Sequence, residues 1–328
     1  MAIAQSSPLP ETSFSSRSPM LDVAFFEGGF VPFADAKISV ATHAVQYGTG
    51  AFAGIRGYLD GDGETINIFR LPEHCARLLN SARLLRCELP FDRASLAATI
   101  VELVERNAPT GDVYIRPFVY KANIQLTPRL KNLHNDIAIY MLSLGDYLDT
   151  AGVTAIVSSW ARVPDNAIPG RGKLSGSYVN AALAKDEAEE KGADEAILLD
   201  QHGHVAEGSA CNLFLVRDGV LTTAPITGDI LEGITRRTVI QFARDLGIPV
   251  AEREIDRSEL YLAEEAFFCG TGVQVAPIRA IDGRPVGPIP GPVTKQISDV
   301  FFATVRGANP RYAGMLTPVR RRVAATAD

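Results

Sequence analysis

Cysteine is scarce and unpatterned in this chain. Its 328 residues hold four (Cys75, Cys87, Cys211 and Cys269), none in a Cys-x-x-Cys or Cys-x-x-His pair. That excludes a disulfide framework and a cysteine-built zinc site, and it fits reduced thiols in the cytoplasm. Excess positive charge is missing as well. Lys and Arg number 32 against 38 Asp and Glu, a formal net charge of −6. Nucleic acid and anionic membrane surfaces both need clustered basic residues, so neither partner is expected. The one short basic run, Arg320-Arg321-Arg322, reads as a solvated tail. No apolar run reaches the length of a membrane helix. Residues Met1 to Met20 are rich in Ser and Pro with a lone basic residue, Arg17. They have neither the apolar core of a signal peptide nor the arginine content of a transit peptide, and read as a disordered leader. His202 and His204, in the turn QHGH, have no acidic or thiol companion at ligand spacing; they read as exposed turn residues and no metal is expected.

What is present is ordinary globular material. Apolar residues make up 46% and charged residues 21%. The length exceeds one compact core and predicts two domains. A small mixed α/β domain is expected over residues 21–145 and a larger one over 153–316. A linker over 146–152, within GDYLDTAG, joins them, and residues 317–328 form a tail.

Local signals place the elements. Leu21 to Phe25 and Phe30 to Pro32 read as strands about a Gly28-Gly29 turn. The Thr42–Tyr58 segment, THAVQYGTGAFAGIRGY, is dense in Gly and aromatics; its glycines fit either close ligand approach or plain turns. Pro72-Glu73 opens a helix whose apolar stripe is Cys75, Leu78, Leu79, Ala82 and Leu85. Arg77 lies off that stripe, on the surface or aimed beyond the core. Asp92 caps a second helix carrying Leu96, Ile100, Leu103 and Val104 inward. Over Val113–Tyr120, period two puts Tyr114, Arg116, Phe118 and Tyr120 on one face and Val113, Ile115 and Val119 on the other. The first face is either exposed or the lining of a site that takes an apolar group and a carboxylate. Pro117 marks an edge or a bulge.

The second half alternates strands and helices. Strands are expected at Ile137–Leu144, Val153–Trp160, Glu195–Asp200 and Val205–Glu207. Hairpins turn at Asp218-Gly219 and Asp282-Gly283. Helices span Tyr178–Lys191 and Gly233–Gly247, and another starts at Pro292. The first turn Gly233-Ile234-Thr235 offers free amides and a hydroxyl of the kind that bind phosphate. A buried strand, Glu265–Cys269, runs into the small-residue turn Gly270-Thr271-Gly272.

Lys173 stands in IPGRGKLSGSY, Ile168–Tyr178. A lysine in a glycine-rich turn is ordinarily a solvated charge. The alternative is an amine nucleophile in a pocket that small neighbours open to a cofactor. Glu207 in EGSACN, the two Thr-Gly turns, Arg77 and the phenol Tyr178 supply the residue types that pyridoxal phosphate requires. Periodicity alone does not assemble them.

In order along the chain, THAVQYGTGAFAGIR, EHCARLLNSAR, YIRP, VSSW with P-x-N-x-IP and the lysine, AEG-x-x-x-NLF, L-x-GITR and CGTG before an Ala-Pro turn resemble the branched-chain amino acid aminotransferases. These are fold-type IV pyridoxal-phosphate enzymes. The resemblance runs from about Leu21 to Phe302. It implies an α+β/α/β fold of two domains with pyridoxal 5′-phosphate between them. It further implies ping-pong amino transfer between leucine, isoleucine or valine and 2-oxoglutarate, in a cytoplasmic homodimer or larger assembly whose pockets borrow residues near Leu126.

By the same resemblance, Lys173 is the Schiff-base lysine and proton shuttle, Glu207 the partner of the ring nitrogen, and Tyr178 the contact to the ring oxygen. Arg77, Gly233, Ile234, Thr235, Gly270 and Thr271 cradle the phosphate, and Leu231 packs on the ring. Tyr47, Phe52, Gly54, Tyr114, Tyr147, Thr271 and Gly272 surround the substrate, and Arg116 receives a distal carboxylate. Ala53, Ala210, Cys211 and Gly272 depart from the family's usual residues and bear on substrate range, not on catalysis. D-amino acid and R-selective amine transaminases share the fold, but no Arg-x-His pair follows the Tyr114 strand. A non-catalytic cofactor-binding relative is the alternative from another class.

Overall fold

The chain enters the fold through a hairpin, β1 (Val23–Phe26) and β2 (Gly29–Pro32). Glu27 and Gly28 form its turn, with φ of 48° and 80°, and Phe26 pairs with Gly29. Two positive φ values match the right-handed twist of the flanking strands, so the turn sits one residue earlier than Gly28-Gly29. The computed structural model describes residues 20–145 and 152–321. Most of the expected linker, with Tyr147, lies outside the described residues, as do most of the leader and residues 322–328.

The glycine-rich segment resolves into α1 (His43–Tyr47), β3 (Gly50–Phe52) and β4 (Ile55–Leu59), followed by β5 (Thr65–Phe69). Helices α2 (Leu71–Leu84) and α3 (Arg93–Asn107) come next, then β6 (Val113–Lys121) and β7 (Asn135–Ser143). Asp92 caps α3 as expected, in a reciprocal box with Ser95. The apolar stripe of α2 packs on the sheet, with Cys75 and Leu78 fully buried beside Ile55, Ile66 and Ile115. Each leucine so buried contributes roughly 1.5–3 kcal/mol.

Pro117 stands on a central strand, not an edge, since β6 pairs with β7 on one side and with β3 and β4 on the other. Its carbonyl accepts from Ala53 N at 3.0 Å. The absent N–H therefore faces the break between β3 and β4, where no ladder partner is lost.

The second half comprises β8 (Val153–Val157), α4 (Tyr178–Glu190), β9 (Glu195–Leu199), β10 (Val205–Gly208), β11 (Asn212–Arg217), β12 (Val220–Thr223), α5 (Ile234–Asp245), β13 (Val250–Glu252), β14 (Glu265–Gly270), β15 (Gln274–Ile281), β16 (Arg284–Pro285) and α6 (Pro292–Val305). These strands form one mixed sheet, with the path β10-β9-β8-β15-β14-β11-β12-β13 and β16 added to β15. The first strand stops at Val157, short of Trp160. Ala276-Pro277 is not a turn; both residues lie inside β15, opposite Phe268 and Phe267. The buried carboxylate of Glu265 accepts from the Val293 and Thr294 amides and caps α6.

The expected tail is partly structured. β17 (Leu316–Arg320) returns to the first sheet and pairs along the whole of β5. That completes an eight-stranded sheet, β17-β5-β4-β6-β7-β1-β2 with β3 beside β6. Tyr58 and Phe69 of this sheet share a core with Phe301, Tyr312 and Met315, so the two halves are joined by packing as well as by the linker.

Candidate active site

The loop before α4 belongs to the second half by sequence but is held by the first. Lys173 N donates to Ser81 Oγ on α2 at 3.1 Å, and Phe52 N on β3 donates to Lys173 O at 3.0 Å. Gly176 N donates to Gly48 O at 3.1 Å, and a Cβ on Gly48 would lie 2.8 Å from Gly176 Cα. The small residues around Lys173 thus allow close backbone approach between the halves. Its amine projects into a cavity of about 280 Å³ between the two sheets.

Fifteen of the expected residues line that cavity. They are Phe52, Gly54, Arg77, Tyr114, Arg116, Lys173, Tyr178, Glu207, Leu231, Gly233, Ile234, Thr235, Gly270, Thr271 and Gly272. Tyr47 does not reach it; its ring packs 4.7 Å from His43. Tyr147 lies outside the described residues. Of the departures from the usual pattern, Ala210, Cys211 and Gly272 line the cavity, while Ala53 is buried in the core of the first half.

Lys173 Nζ donates to the Tyr178 hydroxyl. Burial, then the Arg77 guanidinium, pulls its amine down from 10.5 to about 8. Burial, with Glu207 adding to it, pushes the Tyr178 phenol up to about 12. Glu207 is held on both oxygens. Arg162 Nε approaches Oε1 at 2.9 Å, Asn212 Nδ2 donates to Oε2 at 3.0 Å, and the Leu231 amide donates at 3.2 Å. Burial raises its carboxyl, and Arg162 and the Leu231 amide restrain that rise. Arg162 and Asn212 were not among the expected residues. Neither stands in a periodic pattern, although Asn212 is within the NLF motif.

Does this donor set suit pyridoxal phosphate? Arg77 makes one long hydrogen bond, 3.4 Å to Glu232 O, and among the described residues no carboxylate pairs with it. Facing it, α5 begins at Gly233 without a side-chain cap, and its first backbone bond comes from Arg237 N. The amides of Ile234 and Thr235 are therefore left to the cavity. A half-buried cation with no carboxylate partner among the described residues, opposite an uncapped helix N-terminus, suits a phosphate dianion. A Cβ on Gly233 would lie 1.9 Å from Asn212 Oδ1, so glycine there lets Asn212 reach Glu207. The amine, the buried carboxylate and the phosphate cradle fit the group.

The opposite wall comes from β6 and β3. Arg116 lies 4.6 Å from the Phe52 ring and 5.2 Å from the Tyr114 ring, and donates to the Tyr114 hydroxyl at 3.3 Å. Gly54 leaves room for that phenol, because a Cβ there would lie 1.8 Å from it.

This fold and cavity define an aminotransferase. The family model "Amino-transferase class IV" matches residues 50–281. A "Probable branched-chain-amino-acid aminotransferase" of Aquifex aeolicus is 46% identical over 306 residues, covering 92% of this chain and 98% of that one. The structure of a branched-chain aminotransferase from Thermoproteus uzoniensis with norvaline superposes with a TM-score of 0.88 at 41% identity, covering 92% and 99% of the two chains. That of the branched-chain amino acid aminotransferase from Thermobaculum terrenum in its PLP-form also gives 0.88, at 36% identity, covering 92% and 99%. The chain belongs to the branched-chain-amino-acid aminotransferases of class IV, with the fold-type IV architecture.

Proposed function

We propose that this chain transfers amino groups between branched-chain L-amino acids and 2-oxoglutarate, with Lys173 as the cofactor-bearing and proton-moving residue. The observation that carries the reading is Lys173 Nζ against the Tyr178 hydroxyl, in one cavity with Glu207 and the uncapped start of α5. The cofactor is pyridoxal 5′-phosphate, which when bound supplies an aldehyde and an electron-accepting ring. Arg77 and the amides of Ile234 and Thr235 bind its phosphate, with the Thr271 hydroxyl beside them. Glu207, fixed by Arg162 and Asn212, holds a proton at the ring nitrogen. Leu231 packs on the ring and donates its amide to Glu207. Lys173, whose burial enlarges the neutral share of its amine, takes the proton from the substrate α-carbon at Nζ and delivers it two atoms away, on the far side of the substrate nitrogen.

On the substrate side, Phe52 and Tyr114 surround an apolar side chain. Arg116, with no carboxylate partner among the described residues, receives the second carboxylate of glutamate. The test is a donor panel with 2-oxoglutarate as acceptor, containing L-leucine, L-isoleucine, L-valine, D-leucine and an aryl-alkyl amine. The L-amino acids are expected to react. Arg116→Ala should lower kcat/KM for glutamate and 2-oxoglutarate roughly 10- to 100-fold more than for leucine, the range for losing a charge-assisted hydrogen bond. Equal losses would contradict the assignment.

We infer further that the chain works as a homodimer or larger assembly in the cytoplasm. Val40, Val45, Ile124 and Leu126 are 83, 53, 71 and 81% exposed. The two segments lie side by side through a Thr42–Ile124 bridge, and His43 joins them through Thr127 O at 3.0 Å. A second copy covering this apolar patch would bring Tyr47 and Leu126 to a neighbouring cavity. Leu126→Asp is expected to give monomers with reduced activity in sedimentation equilibrium and assay; a fully active wild-type monomer would refute this. The four cysteines are buried and unpaired, which supports a reducing compartment. Among the described residues no helix is long and apolar enough to cross a membrane.

A further inference from the structure

Ser81, on α2, has no place in the roles above, yet at 1% exposure it carries a hydroxyl shared between two residues of the site. Its Oγ accepts from Lys173 N at 3.1 Å and donates to Arg77 O, one helical turn earlier, at 2.9 Å. The residue that bears the cofactor and the residue that holds its phosphate are thus joined through one oxygen.

This joint belongs to a ring of contacts. Arg77 Nη1 donates to Glu232 O at 3.4 Å, just before α5. The Glu232 carboxylate pairs with Arg171, two residues before Lys173. Those two side chains are 48 and 36% exposed, and an exposed pair of that kind contributes little. The Ser81 link is the enclosed one. Leu174, next to Lys173, is packed in the core of the first half, and a Cβ on Gly172 would lie 2.7 Å from Leu84 Cδ1. The lysine loop therefore lies close against α2, and without Ser81 Oγ the Lys173 amide would lose its acceptor there.

The separation of these anchors matters because a pyridoxal ring is flat and rigid. Its aldehyde carbon and its phosphate stand at a nearly fixed distance. Nζ forms a C=N bond to that carbon as the neutral amine, and the carbonyl oxygen leaves with the two amine protons as water. Nζ and the phosphate cradle must be held at a matching distance for this to be favourable. The lysine side chain is long and flexible, so its reach is set by where its backbone is anchored.

We propose that Ser81 is a positioning residue that fixes the Lys173 backbone relative to Arg77, and so sets how readily Nζ links to the cofactor. The inference rests on the transaminase reading and deepens it. Ser81 does not line the cavity and acts through Lys173.

The test compares two forms of the cofactor. Pyridoxamine 5′-phosphate has the same ring and phosphate but an amine in place of the aldehyde, so it cannot link to Lys173. Protein loaded with either form is diluted and filtered, and the cofactor retained is measured by absorbance. Ser81→Ala, which keeps a strong helix former on α2, is expected to raise the Kd of pyridoxal 5′-phosphate about tenfold, the scale of one amide left without its acceptor. The Kd of pyridoxamine 5′-phosphate should stay within about twofold of wild type, because the phosphate cradle is intact. In a Lys173→Ala background the same substitution should change neither value. Ser81→Thr restores a hydroxyl that can still reach the preceding turn and is expected to recover most of the loss. An unchanged Kd in Ser81→Ala, or an equal rise for both forms, would overturn the proposal, the latter because it would mark a general loosening of α2. Wild-type protein that retains neither form and transfers no amino group would overturn the transaminase reading instead.

Discussion

The Lys173→Ala protein is expected to fold and to bind its cofactor without covalent attachment, while losing at least about 10³-fold in transamination rate. The fold should survive because the backbone of Lys173, not its side chain, makes the structural contacts. Its N–H meets Ser81 Oγ at 3.1 Å and its carbonyl accepts from Phe52 N at 3.0 Å. Alanine keeps both. The chemistry should fail because, among the described residues, Nζ is the one amine that lines the cavity, and the neighbouring Tyr178 phenol, pushed up to about 12, is a poor base. With the amine at about 8, roughly one Lys173 in ten is neutral at pH 7, against about one in three thousand for an ordinary lysine. The wild-type rate should therefore climb with pH up to about 8 and then level off. Steady-state rates with leucine and 2-oxoglutarate, together with borohydride reduction followed by mass spectrometry, check both halves. An alanine variant retaining a tenth of the activity would remove Lys173 from its role.

Local chemistry made parts of this site readable and left others hidden. Tyr114 and Arg116 share a face by period two alone, and the structure places both in the cavity. Turns with their own signals, Asp218-Gly219 and Asp282-Gly283, carry the positive φ values that such hairpins need. Lys173 could not be read this way. Its position depends on Ser81, 92 residues earlier, and no local pattern reports such a contact; only the family resemblance gathered Lys173, Glu207, Arg77 and Thr235 into one site. β17 was hidden for a related reason. Its five residues include Pro318 and run into arginines, which reads as a tail, and they become a strand only against β5. As an edge strand it tolerates the proline. Arg162 is an isolated arginine whose partner is a distant carboxylate, and single charges of that kind have no signature in sequence.

Glu207→Gln should lower the transamination rate about 100-fold, comparable to removing one electrostatic partner from a preorganised site. Glutamine keeps the shape and can still meet the Asn212 and Leu231 donors, so the variant removes charge with little else. It also strands Arg162, whose Nε lies 2.9 Å from the carboxylate and whose side chain is largely buried. Breaking a buried pair from one side costs roughly 3 kcal/mol or more, because the other charge is left without compensation. A lower melting temperature is therefore expected beside the lower rate, and the two effects have different origins. The double variant Glu207→Gln/Arg162→Met separates them. Removing the stranded guanidinium should restore much of the melting temperature, a coupling expected of residues in direct contact. It should restore none of the rate, since no anion then faces the ring nitrogen. A glutamine variant within threefold of wild-type activity, or a double variant that regains the rate, would mean that Glu207 serves the fold and not the chemistry.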